Sequence, residues 1–474
     1  MSESKLSTHQ KALQINLDAT RYGTFAEIGG GQEVAGNFFR VGGAAGTVAK
    51  TISAYDMAIS DAIYGPAERY VSRQRLQAML DYEWNLLLQR LDQTRGDRNT
   101  FFVFANTVAM HSYTGNEDGR GWVGVRFQTR PHEPSSEIII HVRLIEHENV
   151  REQEALGILG VNLIYGAFQL HGGPAKLIGS LIDNLSRERI EVDMIKFSGP
   201  RFAGLDNRLM ALQLVEQRLT DTAMFTAGGE TVVAGEILYK KPVLVERGSF
   251  RPFTNTMLDM LERAQEQFLQ EETLKGEAPV VITEMTLNQL QVGNAVNHRD
   301  FLDRVDTLSA LGKTVLISSF FRYHRLVMYL SKYTRKTIGL PLGLVRLRDV
   351  MNEDFYTDLE GGLMESLGQL FKNGAKLYVY PSLERDTGKL TTVENMAVAP
   401  HLRHLYMHLV ENRFVENIRN YNPAYLNIYS RDVLDKIRAG DASWEKLVPP
   451  PVADVIKAKK LSAGAKNPPR DRVM

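Results

Sequence analysis

The spacing of apolar residues changes period along the chain, and the changes divide it. Between Pro66 and Leu91, the residues Leu76, Met79, Leu80, Leu87 and Leu91 recur at roughly helical intervals. The spacing predicts a long helix opened by Pro66. Its apolar stripe reads either as a core-packing face or as a surface that pairs copies of the chain into a homo-oligomer. From Thr100 the period shortens. The runs "TFFVFANTV", "GWVGVRFQT" and "SEIIIHVRLI" read as strands, separated by the turn-rich "TGNEDGRG" and "RPHEPSS". They predict a small antiparallel sheet over residues 100–146.

Past Glu152 strands and helices alternate. The apolar runs are "RIEVDMIKF", "PVLVERGS", "APVVITEM", "KTVLISSF" and "AKLYVYPS". Between them lie "NRLMALQLVEQRL", "HRDFLDRVDTLSALG", "YHRLVMYLSKYT" and "EGGLMESLGQLFKNG", all with a helical period. The alternation predicts an α/β fold: a Rossmann-like parallel sheet with helices on both faces, preceded by an N-terminal helical and antiparallel β region. The expected organisation is a mobile arm over 1–20, a Gly-rich, helical and antiparallel region over 21–150, a Rossmann-like domain over 151–440 and a Pro-rich basic tail over 441–474. The tail is expected to be disordered beyond Val455.

Composition narrows the function classes. With 56 Lys and Arg against 56 Asp and Glu, no global field draws the chain to nucleic acid or an anionic membrane. The absence of cysteine excludes disulfides, thiolate catalysis, Cys-ligated zinc and iron–sulfur clusters. The first residues are polar, and no run of 18 apolar residues occurs. These features lead to the expectation of a cytoplasmic protein with no membrane partner.

In a parallel α/β sheet, ligands bind beyond the carboxyl ends of the strands. The stretch "KPVLVERGSFRPFTNTMLDMLERAQEQF", Lys241 to Phe268, reads as a strand, a sharp turn and a helix opened by Thr254 and Asn255. Orphan N–H groups and the helix dipole favour an anion at such a place. The turn resembles the first signature of nicotinate and nicotinamide mononucleotide adenylyltransferases, with Gly248, Ser249, Phe250, Pro252, Thr254 and Leu258 at matching positions. The resemblance implies a nucleotide-binding protein that transfers AMP from ATP to a mononucleotide, with Mg²⁺ as the accompanying ion. The nucleotide would be held by Gly248, Ser249, Phe250, Arg251, Thr254 and Asn255. The second His position of that first signature is Met257 here, and a thioether carries no charge and donates no strong hydrogen bond. The turn therefore suits binding better than transfer, and no catalytic residue or metal ligand is assigned. In "LISSFFRYHR", Ile317, Ser318 and Ser319 match the family's second motif, but Phe320 and Arg322 break it.

At the level of the whole chain, "ALQINLDATRYGTFAEIGGGQEVAGNFFRVGGAAGTVAKTISAYDM" and "RYVSRQRLQAML" resemble an uncharacterised bacterial family. Its members are often labelled nicotinate-nucleotide adenylyltransferase or TonB-dependent receptor. The second label conflicts with a chain that shows no series of alternating barrel strands.

Two glycine-rich stretches invite other readings. "FAEIGGGQE" resembles the nucleoside-binding loop of methyltransferases, but Glu33 takes the place of the third glycine. "AAGTVAKT" resembles a P-loop in which Ala49 replaces the glycine before Lys50. Both are read as structural glycines. His401, His404 and His408 share one helix face without an acidic partner between them, which favours a solvated face over a metal site. The competing classes are a nucleotide-binding, nucleotidyltransferase-like protein, a catalytically silent scaffold that self-assembles on a Rossmann-like frame and, weakest, a methyltransferase.

Overall fold

The three apolar runs between Thr100 and Leu144 become the middle of a larger sheet. The computed structural model describes residues 5–112, 118–293 and 295–459. It comprises two units, Met1–Asp221 and Thr222–Met474. The first contains β1 (Arg21–Gly29), β2 (Val48–Ile52), β3 (Thr100–Ala109), β4 (Arg120–Phe127), β5 (Ser136–Leu144) and β6 (Ile190–Ser198), in the order β2-β1-β3-β4-β5-β6. β2, β1 and β3 run parallel, and β3 to β6 alternate.

β3 is buried at every residue but its last, because helices cover both faces of the sheet. One face packs Phe25, Phe102 and Phe104 against Phe38 and Phe168. The other carries the helix Arg73–Arg95, whose Leu76 and Leu80 approach so closely that a Cβ on Gly124 would touch both. That helix starts at Ser72, whose hydroxyl accepts from the Arg75 N–H at 3.1 Å, and not at Pro66. Of the predicted stripe, Leu76, Met79, Leu80 and Leu87 are buried on the β3 and β4 side, and Leu91 at its far end is half-buried. The core-packing alternative is therefore the observed one.

Other boundaries also differ from the expectation. The segment assigned to a mobile arm contains the helix Thr8–Asn16, opened by a capping box between Ser7 and Gln10. Lys11 of that helix is buried and donates to Asn162 Oδ1 and Asp183 Oδ2, both at 2.8 Å, which ties it down. β6 was expected among the parallel strands, but its apolar run pairs antiparallel with β5, so the first unit extends to Asp221. Residues 1–4, the first half of the expected turn "TGNEDGRG" and the tail beyond residue 459 lie outside the described residues. Val455 falls inside a helix, Pro450–Ala458, that buries Val452, Ala453 and Ile456; its prolines occupy the first turn, where no N–H is needed.

The second unit bears out the parallel sheet. Its strands are β7 (Thr222–Phe225), β8 (Thr231–Val232), β9 (Val243–Arg247), β10 (Val280–Thr286), β13 (Thr314–Ser318), β14 (Ile338–Gly343), β15 (Lys376–Tyr380) and β18 (Val415–Asn417). Two short ribbons, β11 (Gln291–Val292) with β12 (Ala295–Val296) and β16 (Ser382–Leu383) with β17 (Leu390–Thr391), stand apart. The main order is β18-β15-β14-β9-β10-β13-β7-β8, parallel from β18 to β13. Helices cover both faces: Val243 and Val245 pack with the helices Tyr323–Leu330 and Gly362–Leu370, and Leu244 packs with Asn255–Phe268. The chain is thus an α/β protein. Among the described residues no helix is long and apolar enough to cross a membrane.

Candidate functional site

The order of chain tracing locates a crevice in the second unit. β9 comes first; β10 and β13 extend the sheet on one side, and the chain then crosses back to lay β14, β15 and β18 on the other. Loops leaving β9 and β14 therefore diverge in opposite directions, and the gap at their carboxyl ends is the switch point where α/β sheets place ligands. A cavity of about 170 Å³ lies there, lined among others by Arg247, Thr286, Arg322, Tyr323, Arg346 and Tyr356.

The inner wall is a charge network spanning three strands. Arg247 ends β9, and its Nε and Nη2 donate to Glu284 Oε2 and Oε1 at 2.6 and 2.8 Å. Nη1 donates to the Phe321 carbonyl at 3.0 Å. Ser318, the last residue of β13, donates to Glu284 Oε1 at 2.5 Å. Burial pulls the Arg247 guanidinium down, but Glu284 more than reverses this and holds it above its ordinary value. The guanidinium also lies 4.6 Å from the centre of the Tyr323 ring. Tyr323 is buried, and its hydroxyl has no hydrogen-bond partner among the described residues.

The outer wall is more open. Arg322 pairs with Asp358 at 2.6 Å, and Arg346 pairs with Asp349 at 2.9 Å. Behind them His324 is buried and bonded through Nδ1 to the Ser366 hydroxyl at 3.0 Å. Burial, with Arg325 and Arg322 nearby, pushes its imidazole down to about 4, so the ring is neutral at pH 7. The crevice thus offers three guanidinium groups, aromatic walls and one unmet hydroxyl. Such a set suits a small, flat, anionic ligand.

The turn expected to hold phosphate sits at the carboxyl end of β9, as its strand–turn–helix pattern predicts, but its residues are engaged elsewhere. Phe250 is buried with φ of 48°, and its ring stacks on Phe253 at 5.4 Å. A Cβ on Gly248 would meet the Phe250 ring at 2.7 Å, so glycine is required by close approach. Arg304 donates to the Ser249 carbonyl at 2.9 Å and also pairs with Asp300, which in turn pairs with Arg251 at 2.8 Å. Thr254 is buried and makes no side-chain cap. Asn255 donates to the Lys446 carbonyl at 3.0 Å, and Thr256 to the Tyr425 and Ile428 carbonyls. Met257 Sδ accepts from the Ser430 hydroxyl at 3.9 Å. The segment from Tyr425 to Lys446 therefore covers the start of the helix, while the open space lies beside Arg247.

In the first unit the glycine loop after β1 has an occupant of its own. The Glu27 carboxylate accepts from the Val34 and Ala35 N–H groups, at 3.1 and 3.3 Å, at the start of the helix Glu33–Arg40. It takes the place that a phosphate holds in nucleotide loops. A Cβ on Gly31 would overlap the Asn106 side chain, so this glycine serves packing. Burial pushes the Glu27 carboxyl up to about 7, against the opposing pull of the Ala35, Val34 and Asn106 bonds. The native state thus holds a proton that the unfolded chain releases near pH 4.3 or above. Stability from this group is full at low pH and is lost as pH rises through about 7. Glu27→Gln is expected to remove a fall of at most about 1.4 kcal/mol per pH unit between pH 5 and 7. Denaturant titrations of a Trp444→Phe background, in which only Trp84 and Trp122 of the first unit report, check this. A slope that Gln leaves unchanged would refute it.

His404 and His408 are exposed, and His401 pairs with Glu353 at 2.6 Å. No group of three or more His, Asp or Glu side chains able to hold a metal ion occurs among the described residues.

The sequence singled out the turn but passed over Arg247, Tyr323 and Arg346, and it set Arg322 aside as a broken motif. One signal was available: Arg247 closes the apolar run "VLVER", and Glu284 is a charged residue inside the otherwise uncharged run "VVITEM".

The fold and crevice define an α/β protein whose second unit has the strand order of dinucleotide-binding sheets. No protein-family model matches the chain, and no curated protein matches it. Among solved structures it is similar to the competence/damage inducible protein CihA from Agrobacterium tumefaciens, at 17% identity over 34% of this chain and 93% of that one, with a TM-score of 0.23. It is also similar to the competence-damaged protein (CinA) superfamily protein from Enterobacter cloacae, at 12% identity over 35% and 95%, with a TM-score of 0.26. These scores assign no role to any residue.

Proposed function

We propose that the second unit binds a small phosphorylated ligand of the nucleotide class in the crevice between the carboxyl ends of β9 and β14. The observation that carries this reading is the convergence of Arg247, Arg322 and Arg346 on one cavity at the switch point. The adenylyltransferase-like reading moves accordingly. The nucleotide's anionic group is met by side-chain guanidinium groups beside the Gly248–Asn255 turn, and not by the turn itself. ATP and Mg²⁺ belong to this proposal only as ligands to be tried. Adenylyl transfer is not favoured, because Met257 brings no positive charge and its sulfur is engaged with Ser430. The self-assembling alternative draws no support from the Leu76–Leu87 stripe, which is buried in the first unit's own core.

Isothermal titration of the full chain with AMP and with ATP, with and without Mg²⁺, tests the reading. At least one is expected to bind, and Arg346→Ala or Arg322→Ala is expected to weaken it roughly 10-fold or more, the usual loss for a charge-assisted bond. Absence of heat and of any thermal shift with every phosphorylated compound would rule the proposal out.

A further inference from the structure

Polarity inside the crevice is graded. At the inner end, the charge of Arg247 is cancelled by Glu284, and both side chains are almost fully buried. A phosphate placed there would approach a buried carboxylate whose oxygens already bind Arg247 and Ser318. At the mouth the situation reverses. Arg346 is 44% exposed, and its partner Asp349 is 34% exposed, so a surface pair worth little can yield to a ligand anion. Arg322 is more sheltered, but its partner Asp358 is 57% exposed.

The walls add shape. The Arg247 guanidinium lies 4.6 Å from the Tyr323 ring centre, Arg322 lies 5.5 Å from the Tyr356 ring centre, and Phe321 meets Phe355 edge to face. Flat surfaces of this kind accept a planar ring. At about 170 Å³ the cavity is smaller than the 300 Å³ or more that usually encloses a drug-sized ligand. It holds part of a nucleotide, and the remainder must lie outside.

The Tyr323 hydroxyl decides which part goes in. It is a buried polar group with no partner among the described residues, a state that native structures rarely tolerate without a ligand or water. Burial also holds its proton on, so it presents a donor.

Resting on the reading given above, we propose that the ligand enters ring-first: an uncharged heterocyclic base lies against Tyr323 with a ring acceptor bonded to the Tyr323 hydroxyl, and the phosphate stays at the mouth on Arg322 and Arg346. Tyr323 is then a specificity-determining residue for nitrogenous bases, and Arg346 a phosphate contact. The two roles separate by ligand. Titration calorimetry of the full chain with AMP, GMP, CMP, UMP, the matching nucleosides and ribose 5-phosphate reads them apart.

At least one nucleoside monophosphate is expected to bind 10-fold or more tighter than ribose 5-phosphate, by roughly the margin that one or two good contacts supply. Tyr323→Phe is expected to weaken both that nucleotide and its nucleoside by roughly 3- to 10-fold, the worth of one neutral hydrogen bond. Its melting temperature should not fall, because the change removes only an unpaired hydroxyl. Arg346→Ala is expected to weaken the nucleotide and leave the nucleoside unchanged. If ribose 5-phosphate binds as tightly as the nucleotides and Tyr323→Phe changes nothing, the ring-first orientation is overturned while the anion site stands. If none of these compounds binds, both fall.

Discussion

Replacing Glu284 by alanine is expected to destabilise the second unit by about 3–5 kcal/mol, the range for removing one partner of a buried ion pair. The variant leaves Arg247 with a charge it cannot shed, 5% exposed, and with two N–H groups deprived of acceptors. Ser318 loses its acceptor as well. Urea titration followed by the fluorescence of Trp444, the tryptophan of the second unit, measures the loss. The pair itself is not expected to contribute this much. Two buried charges cost several kcal/mol each to desolvate, and their attraction roughly returns it. The double variant Arg247→Met with Glu284→Leu should therefore recover most of the stability. A loss below about 1 kcal/mol for Glu284→Ala would show the network to be more hydrated than its burial implies.

Glu246, one residue before Arg247, gives a large effect of the opposite sign. Strand alternation turns it to the other face of β9, beside Leu244 and away from the crevice. It is 1% exposed, and its Oε2 has no hydrogen-bond partner among the described residues. Burial pushes its carboxyl well above the ordinary range, and Lys313 only partly opposes this. Stability from the group is full below the unfolded value of about 4.3 and is lost as pH rises through the folded value. Glu246→Leu is expected to stabilise the second unit by about 1–3 kcal/mol at pH 8, the usual penalty for an unmet buried polar group. The gain should shrink toward pH 5. An equal gain at both values would mean that the proton is not the source, and no gain at pH 8 would refute the prediction.

These two glutamates also show where the sequence could be read and where it could not. β9, β10, β13 and β15 are legible as apolar runs because each is covered on both faces. β14, "IGLPLG", was not, since Gly339, Pro341 and Gly343 argue against a strand. It survives there because its pairing with β9 stops at Gly339, before the proline is reached. The unit boundary was invisible for a related reason: "RLTDTAMF" runs from one unit into the next with no change in composition. β6 shows that an apolar run declares a strand but not its partner. At the site, the end of β9 was located from the strand–turn–helix pattern alone. The residues that line the crevice were not, because Tyr323, Arg346 and Arg247 are brought together by the crossover from β13 to β14, which no local pattern records.

Glu27 carries a lesson for reading other chains. A scan for glycine spacing will keep nominating "EIGGGQE" as a nucleotide loop, since the loop, the turn and the helix start are all present. What separates it from a true phosphate cradle is the acid two positions ahead of the first glycine, which fills the helix N-terminus from within. Where that acid sits in such a loop, the acceptor for the helix N–H groups is encoded in the chain, and the glycines mark a plug and not a port.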